Sequence, residues 1–128
     1  NLSLLAVTPI TKRTHQIRVH LPAAAMPLAV DPLYGSERGI YLSQIKTDYN
    51  LGKRAKEKPL IQRLTLHSYQ LRIKKENDYI PKIFIAPLDN KFKAAVKMLT
   101  KHNQNKINSF YNKDTYYDII NAREIKDV

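Results

Sequence analysis

The sequence has no cysteine, no tryptophan and only three glycines among its 128 residues. Without cysteine the chain forms neither disulfides nor thiolate metal sites, which agrees with a cytoplasmic location. It also lacks a signal-peptide pattern and any apolar stretch of about eighteen residues, so secretion and a membrane span are not expected. Its histidines show no metal-ligand spacing with acidic residues, and no metal site is predicted.

Acidic residues are scarce relative to basic ones. The chain has 11 Asp and Glu against 22 Lys and Arg, which gives a formal net charge of +11. So large a positive field on a small protein favours a polyanionic partner. RNA, DNA and an acidic membrane surface all fit the charge, and nucleic acid fits it best.

The first third of the chain predicts one strand and one helix. Residues 2–8 alternate well enough for a strand that stops before Pro9. Thr14 is placed to cap a helix that ends before Pro27. Residues 31–58 carry turn signals and a basic stretch, and they predict an irregular, solvated loop. Because the chain opens on an apolar run without an initiator Met, we expect it to be a piece of a longer protein.

The remaining sequence predicts a hairpin and two helices. Strands over 63–75 and 82–86 should pair with one face buried, and Asp89 or Asn90 should cap a helix. A polar tail follows from residue 103, with a short helix around 115–122. The pattern predicts an α+β protein with one module over 1–102 and a polar extension over 103–128.

Two short blocks carry most of the chemistry. The first is R-T-H-Q-I-R-V-H-L at 13–21, and the second is D-P-L-Y-G at 31–35. A helix through the first block would project a cationic, hydrogen-bonding edge from an otherwise apolar surface. Such a density of polar groups is costly unless a site uses it.

Four blocks in one order resemble a known family. T-P-I-T-K-R-T-H-Q-I-R-V-H-L, D-P-L-Y-G, R-L-T-L-H-S and I-F-I-A-P-L resemble the C-terminal half of RluA-type RNA pseudouridine synthases. The resemblance implies isomerisation of a flipped-out uridine in ribosomal or transfer RNA, with neither metal nor organic cofactor. It also implies a mixed, mainly antiparallel sheet with packed helices. The N-terminal half of that sheet would be missing, which would leave an exposed edge and allow self-association.

The resemblance also assigns roles to residues. Arg18 matches the arginine that pairs with the catalytic aspartate, whose arginine-leucine-aspartate motif does not occur in this chain, so the chain alone should be inactive. Leu64 and Leu66 match the block whose aliphatic residue lies beneath the flipped uracil, and Leu66 is the favoured match. Tyr34, which could pack near the cleft, is interpreted as structural. The remaining candidates are substrate-binding residues of the first block and phosphate contacts in the basic stretch: Arg13, Thr14, His15 and Gln16, then Lys53, Arg54 and Lys56.

Other interpretations remain open. Arg18 could form a purely structural ion pair, His15 could be satisfied within the fold, and Leu66 could be an ordinary core leucine. The chain also departs from the family, which usually has glycine at position 12 and commonly has Gly-His at 25–26 and glycine at 30. A non-catalytic RNA-binding module is the alternative function. No helix-turn-helix or zinc-finger spacing supports a DNA-binding domain.

Overall fold

The computed structural model describes residues 2–46, 48–50, 52, 56–73, 79–80, 82–102 and 113–126. These residues form an α+β protein, as the sequence predicts, with three α-helices and a two-stranded antiparallel sheet. No helix among them is long and apolar enough to cross a membrane. The elements, in chain order, are α1 (Gln16–Ala23), a short 3-10 helix (Leu42–Gln44), β1 (Gln70–Ile73), β2 (Lys82–Ile85), α2 (Asn90–Lys101) and α3 (Lys113–Ile120).

The core gathers side chains from distant parts of the chain. Its side chains come from loops, from α2 and from α3, and Leu88 lies just before α2. No single element forms the core alone. The division into 1–102 and 103–128 stays a prediction, although the second part supplies two of the buried side chains. The buried apolar residues are Val30, Ile40, Ile61, Leu88, Phe92, Ala95, Val96, Ile119 and Ile120.

The α2 helix follows directly from its sequence. Asp89 is its N-cap, as predicted, and the carboxylate accepts hydrogen bonds from the backbone N–H groups of Lys91 and Phe92. Such a cap satisfies donors that the first turn of a helix leaves unpaired. Phe92, Ala95 and Val96 face the core.

The predicted hairpin is present but shorter than expected. β1 pairs antiparallel with β2, with Gln70 opposite Ile85 and Leu71 opposite Phe84. The strand predicted over 63–75 begins only at residue 70, because Thr65 bonds to Val30 and not to a neighbouring strand. The two faces of the hairpin differ as predicted, but neither is fully buried: Ile83 and Ile85 on one face are half-buried, whereas Leu71 and Phe84 share the other face and are 42% and 55% exposed.

The strand predicted over 2–8 does not form. Residues 2–9 have no regular secondary structure, and Leu2, Leu5 and Val7 are exposed. An alternating pattern becomes a strand only when a neighbouring backbone takes its hydrogen bonds. In the part of the chain that the structure describes, none does so.

The ends of α1 depart from the sequence prediction. Thr14 is not its cap: His15 holds that position in the left-handed conformation, with φ 53°, and makes no side-chain cap. At the other end Ala25 is also left-handed, with φ 58°. The N–H of Met26 bonds to the carbonyl of Leu21, and that of Ala25 to Pro22. This is a Schellman motif with alanine where glycine is usual.

The tail is held against β1 by polar side chains. The Tyr69 hydroxyl lies 2.7 Å from the carbonyl oxygen of Arg123, and Arg72 forms an ion pair with Glu124. The Gln70 amide bonds to both the N–H and the carbonyl of Ile125, at 2.8 and 3.2 Å. These contacts fix the segment that brings α3 to the core.

Candidate functional site

The first turns of α1 carry Arg18 to a buried carboxylate. Its Nε–H donates to Oδ2 of Asp31 at 2.9 Å, and its Nη2 donates to Oδ1 at 2.6 Å. The two side chains are 14% and 3% exposed. The pair is bidentate, which matches the planar fork of a guanidinium to the two oxygens of a carboxylate.

The carboxylate of Asp31 also closes its own turn. Oδ1 accepts the backbone N–H groups of Leu33 and Tyr34, at 3.0 and 3.1 Å. The Arg18 hydrogen bonds and these backbone donors hold the pKa of Asp31 well below its usual range, against the opposing effect of burial. The same carboxylate raises the pKa of Arg18. Both groups therefore stay charged, and the second block fixes the orientation of the first.

Tyr34 contacts two residues of the first block, His15 and Arg18. The guanidinium carbon of Arg18 lies 5.1 Å from the centre of its ring, which is a cation–π distance. Its hydroxyl lies 3.0 Å from Nδ1 of His15, and the two rings meet edge to face with centres 5.5 Å apart. Tyr34 is 41% exposed. The sequence interpretation of Tyr34 as a structural residue near the cleft stays a prediction, and its contacts place it between Arg18 and His15.

The loop before α1 is closed by Gln16. Its Oε1 accepts hydrogen bonds from the Thr11 hydroxyl, at 2.8 Å, and from the Arg13 backbone N–H, at 3.0 Å. The amide oxygen of Gln16 thus shapes the loop that leads into the site. Residues 7–11 and one face of α1 border an open groove of about 500 Å3 beside this loop.

The third block is tied directly to the second. The Thr65 hydroxyl accepts the N–H of Val30 at 3.0 Å and lies 3.3 Å from the Val30 carbonyl, which also accepts the Thr65 N–H at 3.0 Å. Val30 immediately precedes Asp31 and is fully buried. The R-L-T-L-H segment is therefore fastened beside the turn that holds Arg18. Leu66 is half-buried in this segment.

The other candidate site residues are either exposed or outside the described residues. Arg13, Thr14 and Lys56 are exposed, and Lys53 and Arg54 lie outside the described residues. His15 is exposed at the start of α1, against Tyr34. The substrate-binding and phosphate roles of these residues stay predictions. Among the described residues no group of three metal-binding side chains occurs.

Comparison with known proteins gives a consistent set of relatives. No family model and no solved structure matches the chain. It is 37% identical over 102 residues to ribosomal large subunit pseudouridine synthase C of Buchnera aphidicola subsp. Baizongia pistaciae, covering 76% of this chain and 27% of the relative. The Haemophilus influenzae synthase C is 34% identical over 99 residues, with 77% and 27% covered.

A second type of synthase also matches. The ribosomal large subunit pseudouridine synthase D of Neisseria meningitidis is 39% identical over 82 residues, which is 62% of this chain and 19% of the relative. The chain spans about a quarter of the length of the synthase C relatives. The resemblance inferred from the four blocks is thus confirmed: over about three quarters of its length, the chain is similar to part of the RluA-type pseudouridine synthases.

Proposed function

We propose that this chain is part of an RNA pseudouridine synthase, in which Arg18 holds the reacting aspartate. The observation that carries the proposal is the bidentate pair between Arg18 of the R-T-H-Q-I-R block and Asp31 of the D-P-L-Y-G block. The names of the relatives supply the reaction class. In that reaction a uridine is flipped out, its glycosidic bond is broken, and the base is rejoined through carbon.

The pair with Asp31 leaves Arg18 able to bind a second carboxylate. Asp31 takes one N–H from Nε and one from Nη2. A guanidinium has five N–H groups, so one N–H of Nη1 and the second of Nη2 form another edge of the fork. We infer that Asp31 orients Arg18 while an aspartate from an upstream motif binds this remaining edge. A guanidinium there would keep the reacting carboxylate ionised.

The substrate in this proposal is RNA. The names of the relatives favour ribosomal RNA, and transfer RNA is the other substrate that the resemblance implies. The net charge of +11 suits phosphate binding, to which Arg13, Lys53, Arg54 and Lys56 would contribute. Leu66 would lie beneath the flipped uracil. No cofactor is required, and the enzyme would act in the cytoplasm.

We also infer that another part of the same protein completes the sheet. A two-stranded sheet is only marginally stable without further strands or packing. Leu71 and Phe84 are exposed on one face of the hairpin, and residues 2–9 run without a paired strand. An N-terminal half of the catalytic domain would cover these groups. The chain on its own should then self-associate as its concentration rises.

The test uses the full reading frame that encodes this chain. Its product should release tritium from RNA labelled at the uracil carbon that becomes bonded to the sugar. Arg18→Ala should nearly abolish release while RNA affinity changes little, and Arg18→Lys should not restore it, because an ammonium lacks the fork. Arg72→Ala is the matched control, since Arg72 forms an exposed ion pair on β1.

Unchanged turnover in Arg18→Ala would remove Arg18 from the reaction. A second function is favoured by the same ion pair, because one edge of Arg18 already binds a carboxylate within the chain. Arg18 would then be structural and the protein a non-catalytic RNA-binding module. A full-length product that binds RNA but releases no tritium would establish that alternative.

A further inference from the structure

We propose that Tyr34 is a positioning residue, which holds Arg18 and His15 in the orientation that the reaction needs. This inference rests on the proposed function, because it concerns the arginine assigned to the reacting aspartate. The carrying observation is that one tyrosine contacts the guanidinium with its ring, the imidazole with its hydroxyl and Asp31 with its backbone.

The backbone of Tyr34 is fixed independently of its side chain. Its N–H donates to Oδ1 of Asp31, and the N–H of Gly35 donates to the Asp31 carbonyl at 2.9 Å. The N–H of Asp31 in turn donates to the carbonyl of Ser36 at 2.8 Å. The turn over 31–36 is thus closed by backbone groups. A change of the Tyr34 side chain leaves each of these hydrogen bonds possible.

The ring of Tyr34 controls a motion that Asp31 does not control. Two hydrogen bonds to one carboxylate fix the guanidinium within the plane that they share. An aromatic ring against the guanidinium opposes movement out of that plane, and it does so by an electrostatic contact with the ring face. Together, the carboxylate and the ring give the remaining edge of Arg18 one direction in which to bind a second carboxylate.

The hydroxyl of Tyr34 acts at the start of α1. His15 has φ 53°, a conformation that is unfavourable for a residue with a Cβ atom. Such strain persists where surrounding contacts hold it, and here the contacts are the hydroxyl at Nδ1 and the edge of the ring. Because Arg18 follows His15 by three residues, the two lie on one face of the helix start. The hydroxyl therefore sets where α1 begins relative to Tyr34.

If Tyr34 served only to stabilise the fold, its replacement would lower the unfolding temperature. Tyr34 is 41% exposed and is not part of the buried core, so its replacement leaves the core intact. We therefore expect Tyr34→Leu to unfold at nearly the same temperature as the wild type. Tyr34→Phe keeps the ring and removes only the hydroxyl. Tyr117→Leu is the matched control, since Tyr117 is a 57% exposed tyrosine on α3.

The kinetic measurement uses the full-length protein. Tyr34→Leu should lower kcat by about tenfold to a hundredfold, the scale of a small misplacement of a reacting group, with KM for RNA nearly unchanged. Tyr34→Phe should lie between Tyr34→Leu and the wild type, and Tyr117→Leu should match the wild type. A change confined to KM, or equal losses in Tyr34→Leu and Tyr117→Leu, would overturn the proposal.

A second measurement does not depend on activity. In NMR spectra of the chain, exchange of the Arg18 Nε proton with water should become faster in Tyr34→Leu and stay slow in Tyr34→Phe and Tyr117→Leu. Unchanged exchange in Tyr34→Leu would refute positioning by Tyr34, whatever the kinetics. If the full-length protein makes no pseudouridine but exchange responds as stated, the proposed function fails while the contact of Tyr34 with Arg18 is upheld.

Discussion

The hydrogen bonds between Thr65 and Val30 predict a large effect from a small substitution. Thr65→Val replaces the hydroxyl with a methyl group of similar size. The Val30 N–H, which now donates to that hydroxyl at 3.0 Å, would lose its partner inside a fully buried residue. The Val30 carbonyl would keep the Thr65 backbone N–H at 3.0 Å, so only the donor is left unpaired.

The size of the effect follows from that single unpaired donor. A buried polar group without a partner costs about 1–3 kcal/mol, so we expect Thr65→Val to lower the free energy of unfolding by about 2 kcal/mol. With about 2.1 cal/mol/K of unfolding entropy per residue, a chain of this length should lose about 7 °C in Tm. Thermal and urea unfolding, followed by circular dichroism, would measure both quantities.

Thr65→Ser is the control for Thr65→Val, because it keeps the hydroxyl and removes only a methyl group. It should cost less than about 1 kcal/mol. If Thr65→Val unfolds within about 0.5 kcal/mol of the wild type, the Val30 N–H is not left unpaired and the reasoning fails. A larger loss in Thr65→Ser than in Thr65→Val would show that packing, and not the hydrogen bond, stabilises this contact.

Two further predictions concern the ends of α1 and its ion pair. Ala25→Gly should raise the free energy of unfolding by about 0.5–1 kcal/mol, because Ala25 has φ 58°, a conformation that glycine adopts without strain. Ala24→Gly should lower the free energy of unfolding, because Ala24 has φ −88°. Urea unfolding that gave both substitutions a change of the same sign would contradict this. The Asp31 carboxylate has a depressed pKa when folded, so its stabilising effect is present above the unfolded pKa of about 3.9 and is lost as pH falls below it. The stability difference between the wild type and Asp31→Asn should therefore be constant near neutral pH and shrink in acid, and a difference that grew in acid would refute the assignment.

The parts of the fold that the sequence predicts correctly depend on local chemistry. Asp89 caps α2 because its side chain reaches backbone donors only two and three residues away. The pairing of β1 with β2 was predicted from two nearby β-prone runs. The strand predicted over 2–8 does not form, since its formation depends on a neighbouring strand that no local pattern supplies.

The candidate site also has a part that the local sequence predicts and a part that it does not. The four blocks identified the family, and through it predicted a role for Arg18, because residue types at fixed spacing can be read directly from the sequence. The pairing of Arg18 with Asp31 crosses 13 residues, and that of Val30 with Thr65 crosses 35. Contacts of this kind are set by how distant segments pack. The contacts of Tyr34 with Arg18 and His15 could not be predicted for this reason, because these residues lie 16 and 19 positions away in the sequence.

The packing of α3 has a consequence for how the protein is made. Ile119 and Ile120 share one core with Val30, Ile40 and Ile61, which a ribosome would add much earlier. During synthesis those earlier side chains stay exposed until α3 has also emerged from the ribosome. The nascent chain should therefore be most vulnerable to aggregation and to chaperone capture just before residue 120 is released from the exit tunnel. This core would be complete only once α3 has packed against it.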